Sequence, residues 1–268
     1  MPLKPLKPGT KVKLKDDTAT DDGEPRGKAA DEALQPLIAK LVEQQVALYA
    51  EAKQSLLLVF QGRDASGKDG LTRKVFGPIN SQGCTVTNFK KPSEYELARD
   101  FLWRVHQAVP PKGTIGIFNR SHYEDVLVVR VHGWIDEATV KRRFRQINDF
   151  ERMLTENGVV ILKFFLHISK DEQREQFLER LTDPTKNWKF RAGDLDDRAL
   201  WGDYTRAYRD ALRKCSTRWA PWYLVPSDHR TARNYLITKV INETLSALKP
   251  EYPRASKEVL ALKGTLVR

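Results

Sequence analysis

Leu56-Leu57-Leu58-Val59-Phe60-Gln61-Gly62-Arg63-Asp64-Ala65-Ser66-Gly67-Lys68-Asp69-Gly70 decides how this 268-residue chain folds. An unbroken apolar run leads into a glycine turn, and a lysine stands where a helical pattern begins. A strand without polar alternation is buried on both faces, as at the centre of a parallel sheet. Gly62-x-x-x-x-Gly67-Lys68 has the spacing of a phosphate-binding loop, in which backbone N–H groups and a helix N-terminus wrap an anion and the lysine neutralises it. The plain alternative is a glycine-rich β-to-α turn with a surface lysine; the buried strand before the loop and the helix after it are the context the phosphate-binding motif requires. On the loop reading, Lys68 meets the phosphoryl group in transfer. The amides of Ser66, Gly67, Lys68 and Asp69 hold its oxygens, with Arg63, Ala65 and Gly70 completing the loop.

Asp69 stands where this motif usually has a Ser or Thr on magnesium. Bare carboxylates repel phosphate, so Asp64 and Asp69 make sense if Mg²⁺ lies between, because hard cations take carboxylate and phosphate oxygens together. Their plainer roles are turn former for Asp64 and first-turn helix residue for Asp69.

Working outward, the composition is 40% hydrophobic and 30% charged, which suits one large α/β domain or a domain with an inserted lobe. A formal charge of +11 points to an anionic partner: nucleic acid, acidic membrane or a phosphate-rich substrate. Cys84 and Cys215 are too few and too far apart for a disulfide scaffold or zinc site. No apolar run spans a bilayer and no hydrophobic signal segment opens the chain, so a soluble cytoplasmic protein without a membrane role is expected.

Residues 1–30 read as a basic arm, extended or disordered unless it docks. From Asp31 the stripe Leu34, Leu37, Ile38, Leu41, Val42, Leu48, Tyr49 and Ala52 predicts a helix with one buried face. Further strands are expected at 85–89, 113–118, 159–168 and 222–225. Helices are expected over about 68–76, 93–107 (burying Leu97, Phe101, Leu102 and Val105), 136–157, 170–181, 195–214 and 231–248. Alternating strands and helices mean βαβ units and a parallel sheet between helical layers, with the site outside the strands' carboxyl ends. That rim collects the loop, Lys90-Lys91 and Asn119-Arg120-Ser121-His122-Tyr123-Glu124-Asp125. Its cations are Arg63, Lys68, Lys90, Lys91, Arg120 and Arg130. His106 and His122 lack metal or triad spacing and are expected at the surface or an interface.

Gly-Arg-Asp-Ala-Ser-Gly-Lys-Asp-Gly at 62–70, with Phe-Asn-Arg-Ser-His-Tyr-Glu-Asp-Val at 118–126, resembles the family-2 polyphosphate kinases. Lys186-Asn187-Trp188-Lys189-Phe190, with Trp201 and Tyr204, resembles that family's lid. The resemblance runs from about Asp31 to Leu248. It implies a P-loop kinase-type three-layer α/β sandwich: a five-stranded parallel sheet flanked by helices, in a domain of residues 31–248 with a helical lid over about 183–214. Residues 249–268 are left as a tail. It also implies phosphoryl transfer from inorganic polyphosphate to nucleotides, with Mg²⁺ or Mn²⁺, in a homo-oligomer, a dimer or tetramer.

Asn119 where another branch has Asp, followed by Glu124-Asp125 and preceded by Gly-Lys-Asp-Gly, looks most like the third class, which takes AMP through ADP to ATP. Adenine is the expected base, with guanine as an alternative. By this likeness Asp69 marks the subclass and Asp64 is the metal candidate. Asp64, Lys68, Arg120 and Asp125 form the catalytic set. Lys90, Lys91, Asn119, Tyr123, Glu124, Lys186, Lys189 and Arg198 are the further substrate contacts.

A nucleotide's terminal phosphate is largely ionised near neutral pH, so such an enzyme needs no catalytic base; it needs cations to hold two polyanions together. Arg120 suits a bidentate phosphate clamp, its plain alternative being an ion pair with Glu124. Tyr123 suits packing better than chemistry. Lys186, Lys189 and Arg198 suit a lid that excludes water. Two other readings remain open at this point. One is an ATP-dependent P-loop kinase of a nucleotide or small metabolite. The other is a basic nucleic-acid-binding protein, against which stand the absence of a nucleic-acid motif and the clustering of cations at the loop.

Overall fold

The computed structural model describes residues 3–20 and 25–266. Helix α1 (Gly27–Glu51) leads into β1 (Ser55–Gln61), and α2 (Lys68–Phe76) follows the glycine loop. Strand β2 (Cys84–Asn88) is joined to β3 (Ile115–Asn119) through two short helices, α3 (Glu94–Leu97) and α4 (Trp103–Gln107). After β3 come a 3-10 turn (His122–Val126), α5 (Val128–Val131) and α6 (Glu137–Glu156), then β4 (Val159–His167) and α7 (Lys170–Thr182). Helices α8 (Gly193–Ala199) and α9 (Trp201–Cys215) precede β5 (Trp222–Pro226), and α10 (Arg230–Leu248), α11 (Lys257–Ala261) and α12 (Lys263–Leu266) end the described chain.

All strand pairings are parallel, in the order β2-β3-β1-β4-β5. Every residue of β1 is buried, as its unbroken apolar run requires. On one face, Leu41 and Leu48 of α1, Leu71 and Val75 of α2 and Ile237 and Val240 of α10 pack on Leu56, Leu58 and Phe60. On the other, Val105 of α4, Phe144 and Ile147 of α6 and Ala211 and Leu212 of α9 pack on Leu57 and Val59. Two helical layers on one parallel sheet give the expected three-layer α/β sandwich.

Caps start the long helices where the sequence places them: Asp136 accepts from Thr139 N at 2.7 Å, and Ser169 accepts from Glu172 N at 3.1 Å. Four expectations fail. The single helix over 93–107 is broken between α3 and α4, and Leu97 is exposed, because Asp100 Oδ1 accepts from Leu102 N and ends the first turn locally. Tyr49 is exposed on α1 and does not pack in its stripe. The segment expected as a lid divides at Leu200: from Ala207 onward α9 is core, with Tyr208, Ala211, Leu212 and Cys215 buried. His122 is not at the surface but buried.

His122 belongs to an internal polar cluster. Lys163 Nζ of β4 lies 2.5 Å from Glu151 Oε2 of α6, and donates to Tyr123 Oη and to the Cys215 carbonyl at 2.8 and 2.7 Å. Glu151 Oε1 takes the Tyr123 hydroxyl at 2.8 Å and lies 3.2 Å from His122 Nε2. Burial pulls the His122 pKa down against the opposing effect of Glu151. The cluster ties the turn after Arg120 to β4 and α6. Lys163→Met strands the Glu151 charge, and a loss of about 3–5 kcal/mol is expected, because a buried ion that loses its partner keeps its desolvation penalty. Urea midpoints of Lys163→Met and of Lys163→Met/Glu151→Leu check this: the double variant, which removes both charges, should recover much of the loss.

Candidate active site

The loop between β1 and α2 closes tightly because two positions demand glycine. A Cβ on Gly62 would stand 2.6 Å from the Leu166 carbonyl, and Gly67 sits at φ +86 with Arg233 against it. Ala65 takes φ +66 without being glycine. Ser66 N donates to Arg63 O at 3.1 Å. Lys68, buried in the first turn of α2, folds back on the loop and donates to the carbonyls of Gly62 and Arg63 at 2.8 and 3.1 Å and to Ser66 Oγ at 3.3 Å. Burial pushes its ammonium down to about 8, and Arg120 adds to this against Asp64, Glu124 and Asp69.

Arg120 follows β3 with its backbone at φ +62, fixed by a 3.0 Å hydrogen bond from its N–H to the Phe60 carbonyl. Its guanidinium lies 2.5 Å from Asp64 Oδ1 and 4.0 Å from Glu124 Oε2. Burial works against the Arg120 charge, yet Glu124 and Asp64 hold it firmly protonated. Burial also pushes Glu124 up, against the pull of Arg120 and Lys68. Both the clamp and its plain alternative are therefore in place, with Asp64 the nearer partner.

Arg63, Asp64, Arg120 and Glu124 line one narrow cleft with Gly62, Val128, Gln173, Asp194, Asp197, Trp201, Tyr204 and Tyr208. The Arg63 guanidinium stacks 3.9 Å above the Trp201 ring and donates to Thr205 Oγ1. Its Nε and Nη1 have no hydrogen-bond partner among the described residues, and burial pulls its pKa down to about 10. A buried guanidinium with spare donors on a cleft wall is a place for an anion.

Asn119 donates to Asp69 Oδ1, so two of the residues on which the third-class resemblance rests touch each other across the rim. Several expected site residues point elsewhere. Asp125 is buried between Arg143 and Arg104, 3.7 and 4.0 Å away, and burial lifts its carboxyl to about 6 against their pull. Tyr123 is committed to the Glu151–Lys163 cluster. Lys186 is held by Glu179 and Asp183 at 2.8 and 2.7 Å. Lys189 lies over Trp188, outside the cleft wall. Arg198 donates to the Lys170 carbonyl and to Gln173 Oε1, the same glutamine whose Nε2 reaches the Asp64 carbonyl at 3.0 Å. Arg198 thus reaches the loop through one intermediary. Lys90 and Lys91 are exposed after β2, and Arg130 is taken up by Glu137 and Asp210.

Sequence reading misses Arg233, Gln173, Asp194 and Asp197. Arg233, on α10, is buried and donates to Ser66 O at 2.9 Å, bracing the loop from below. A signal is present: Arg233 continues the buried stripe Leu236, Ile237, Val240 and Ile241, and a charge in such a stripe needs a polar partner.

A phosphate cradle at the carboxyl rim, facing buried and half-buried guanidinium groups across a narrow cleft, defines a phosphotransferase of the P-loop kinase class. A family model described as Polyphosphate kinase 2 (PPK2) matches residues 26–254. The chain is 52% identical over 240 residues to the AMP/ADP-polyphosphate phosphotransferase of Meiothermus ruber, covering 89% of each. It is 44% identical over 253 residues to the ADP-polyphosphate phosphotransferase of Rhodopseudomonas palustris, covering 88% of each. The crystal structure of polyphosphate kinase 2 from Arthrobacter aurescens TC1 matches with a TM-score of 0.87 and 42% identity, over 89% of this chain and 86% of that one. The chain belongs to the polyphosphate kinase 2 family. No described helix is long and apolar enough to cross a membrane.

Proposed function

We propose that this protein transfers the terminal phosphoryl group of inorganic polyphosphate to AMP and to ADP, giving ADP and ATP, and runs in both directions. The observation that carries this is the cleft in which the phosphate loop, Arg63 and Arg120 face an aromatic wall of Trp201, Tyr204 and Tyr208. The names of the Meiothermus and Rhodopseudomonas relatives, an AMP/ADP- and an ADP-polyphosphate phosphotransferase, support the donor and the acceptors. The Asn119–Asp69 contact supports the third-class reading, since it joins two of the residues on which that resemblance rests.

The acceptor's phosphate oxygen attacks the terminal phosphorus, and the bond to the bridging oxygen of the donor breaks. With the acceptor dianionic, no proton has to leave, and the residues' work is to position and neutralise charge. Lys68 and the loop amides hold the group in transfer; Arg120 and Arg63 hold the phosphates on either side of it. Donor and acceptor phosphate oxygens take Arg120 from Asp64 as they bind.

Mg²⁺ or Mn²⁺ fits the donor set. Among the described residues no three His, Cys, Asp or Glu side chains form a metal cage, but Asp64 and Glu124 present carboxylates to the cleft. Magnesium is usually held by one or two carboxylates plus substrate phosphates, so Asp64 would be its protein ligand. When bound, the ion neutralises phosphate charge. We further propose a cytoplasmic dimer or tetramer that does not act on nucleic acid. Free thiols at Cys84 and Cys215 support the reducing compartment, and exposed Tyr95, Leu97 and Trp134 support assembly.

The deciding assay supplies AMP, polyphosphate and Mg²⁺ without ATP and follows nucleotides by chromatography. ADP should appear first and ATP after it. Turnover of ADP but not AMP would remove the third-class reading. Turnover of neither would favour an ATP-dependent kinase.

A further inference from the structure

The N-terminal arm is docked, and it passes along the carboxyl rim beside the phosphate loop. Leu6 N donates to the Trp222 carbonyl at 2.8 Å, and Ser216 Oγ donates to the Leu6 carbonyl at 2.6 Å. The chain turns at Lys7–Thr10 and runs to the carboxyl rim, where the Lys15 carbonyl takes a 2.8 Å hydrogen bond from His167 Nε2. Ala19 O then accepts from Ser227 N and Asp228 N at 3.0 and 3.2 Å. His167 closes β4, and Leu166 beside it is the residue against which Gly62 packs. Asp16 is also close enough to Arg63 to favour its charge.

Between these anchors the arm reads Lys11-Val12-Lys13-Leu14-Lys15. Val12 and Leu14 are half-buried against the core, and the three lysines are exposed. Same-side residues of an extended chain lie roughly 6.5 Å apart, so the ammonium groups form a row that leads to the rim. None of the three has an ion-pair partner among the described residues. The docking contacts hold like charges side by side on an exposed edge, an arrangement that a bound polyanion would stabilise.

We propose that Lys11, Lys13 and Lys15 form an extended subsite for the polyphosphate donor, holding the part of the polymer beyond its reacting end. This rests on the proposed function and adds to it a place for the rest of the chain. Lysine suits a moving polyanion. Its flexible point charge follows a polymer that must advance after each transfer, whereas a bidentate arginine would fix it. A nucleic acid would also meet a row of charges, but single strands bind where bases stack on aromatic rings, and no aromatic residue precedes Tyr49.

The test compares Lys11→Gln/Lys13→Gln/Lys15→Gln with Lys40→Gln/Lys257→Gln/Lys263→Gln, which removes equal charge from exposed sites elsewhere. Steady-state rates are measured with AMP and polyphosphates of graded length, at several salt concentrations. The arm variant should raise KM for long polymer about tenfold with kcat retained, and the effect should vanish as the donor shortens. Its slope of log KM against log salt should fall by about 2, as three phosphate contacts are lost. The control variant should match wild type. An unchanged KM, an equal rise at every donor length, an equal effect in the control, or lost RNA binding without a change in donor KM would each overturn the subsite. A wild type that uses no polyphosphate at all overturns the underlying function, and the subsite with it.

Discussion

Lys68→Met lowers kcat by about 10³-fold with the fold retained, the scale of loss when one preorganised contact to the transferring group is removed. The ammonium already lies in the loop, bound to the Gly62 and Arg63 carbonyls and to Ser66 Oγ. These are groups around the anion's own seat, so an arriving phosphate finds the charge in place and has only to exchange partners. Methionine fills the same buried volume without the charge. Circular dichroism and thermal midpoint check the fold, and single-turnover rates check the transfer. Wild-type turnover in a folded Lys68→Met protein would remove the loop from the active site.

The same lysine sets a pH limit. Burial holds its ammonium at about 8 in the free enzyme. The protonated form is the one that binds phosphate, so kcat/KM, which reports free-enzyme ionisations, should fall as pH rises through about 8. An acid limb near pH 6 should appear where the acceptor's phosphate takes up its second proton. Lys68→Arg should move the alkaline limb upward, whatever its rate, because a guanidinium stays charged. Stability carries the opposite sign. A lysine whose folded pKa is depressed destabilises the fold below that pKa, and the penalty is relieved as pH rises above 8 toward the unfolded value.

The fold is legible wherever burial writes itself into a period. The unbroken run at 56–60 marks the central strand, and Asp136 and Ser169 mark helix starts, because a cap depends only on a side chain and nearby amides. The region 93–107 misleads because apolar residues recur at helical spacing while Asp100 offers the backbone a competing hydrogen bond. In the site, the loop is legible, while Arg233 shows only as a charge in a buried stripe: its partner Ser66 lies 167 positions away, and no local pattern encodes which group that charge meets. Lys186 and Asp125 show the opposite limit. Both carry charge near the right motif, yet Glu179 and Asp183 occupy one, and Arg143 and Arg104 flank the other.

Arg120→Gly separates function from stability. The arginine is held at φ +62, a region that costs a non-glycine residue of order 1–2 kcal/mol. Glycine relieves that strain, at about 0.4–1 kcal/mol of added unfolded-state entropy. Its ion pair with Asp64 is 42% exposed on the arginine side, so its loss subtracts little, and the buried Glu124, left with Lys68 as its cation, takes back part of the gain. The balance predicts a Tm equal to or above wild type. Activity should move the other way, with kcat falling about 10³-fold, as when an arginine that stabilises phosphoryl transfer is lost. Arg120→Lys keeps the charge but not the two-pronged donor, and should recover only part of that loss. A glycine variant that is less stable and still active would make Arg120 a structural ion pair. One that is more stable and inactive would show that the strained backbone after β3 is kept for the guanidinium it aims into the cleft.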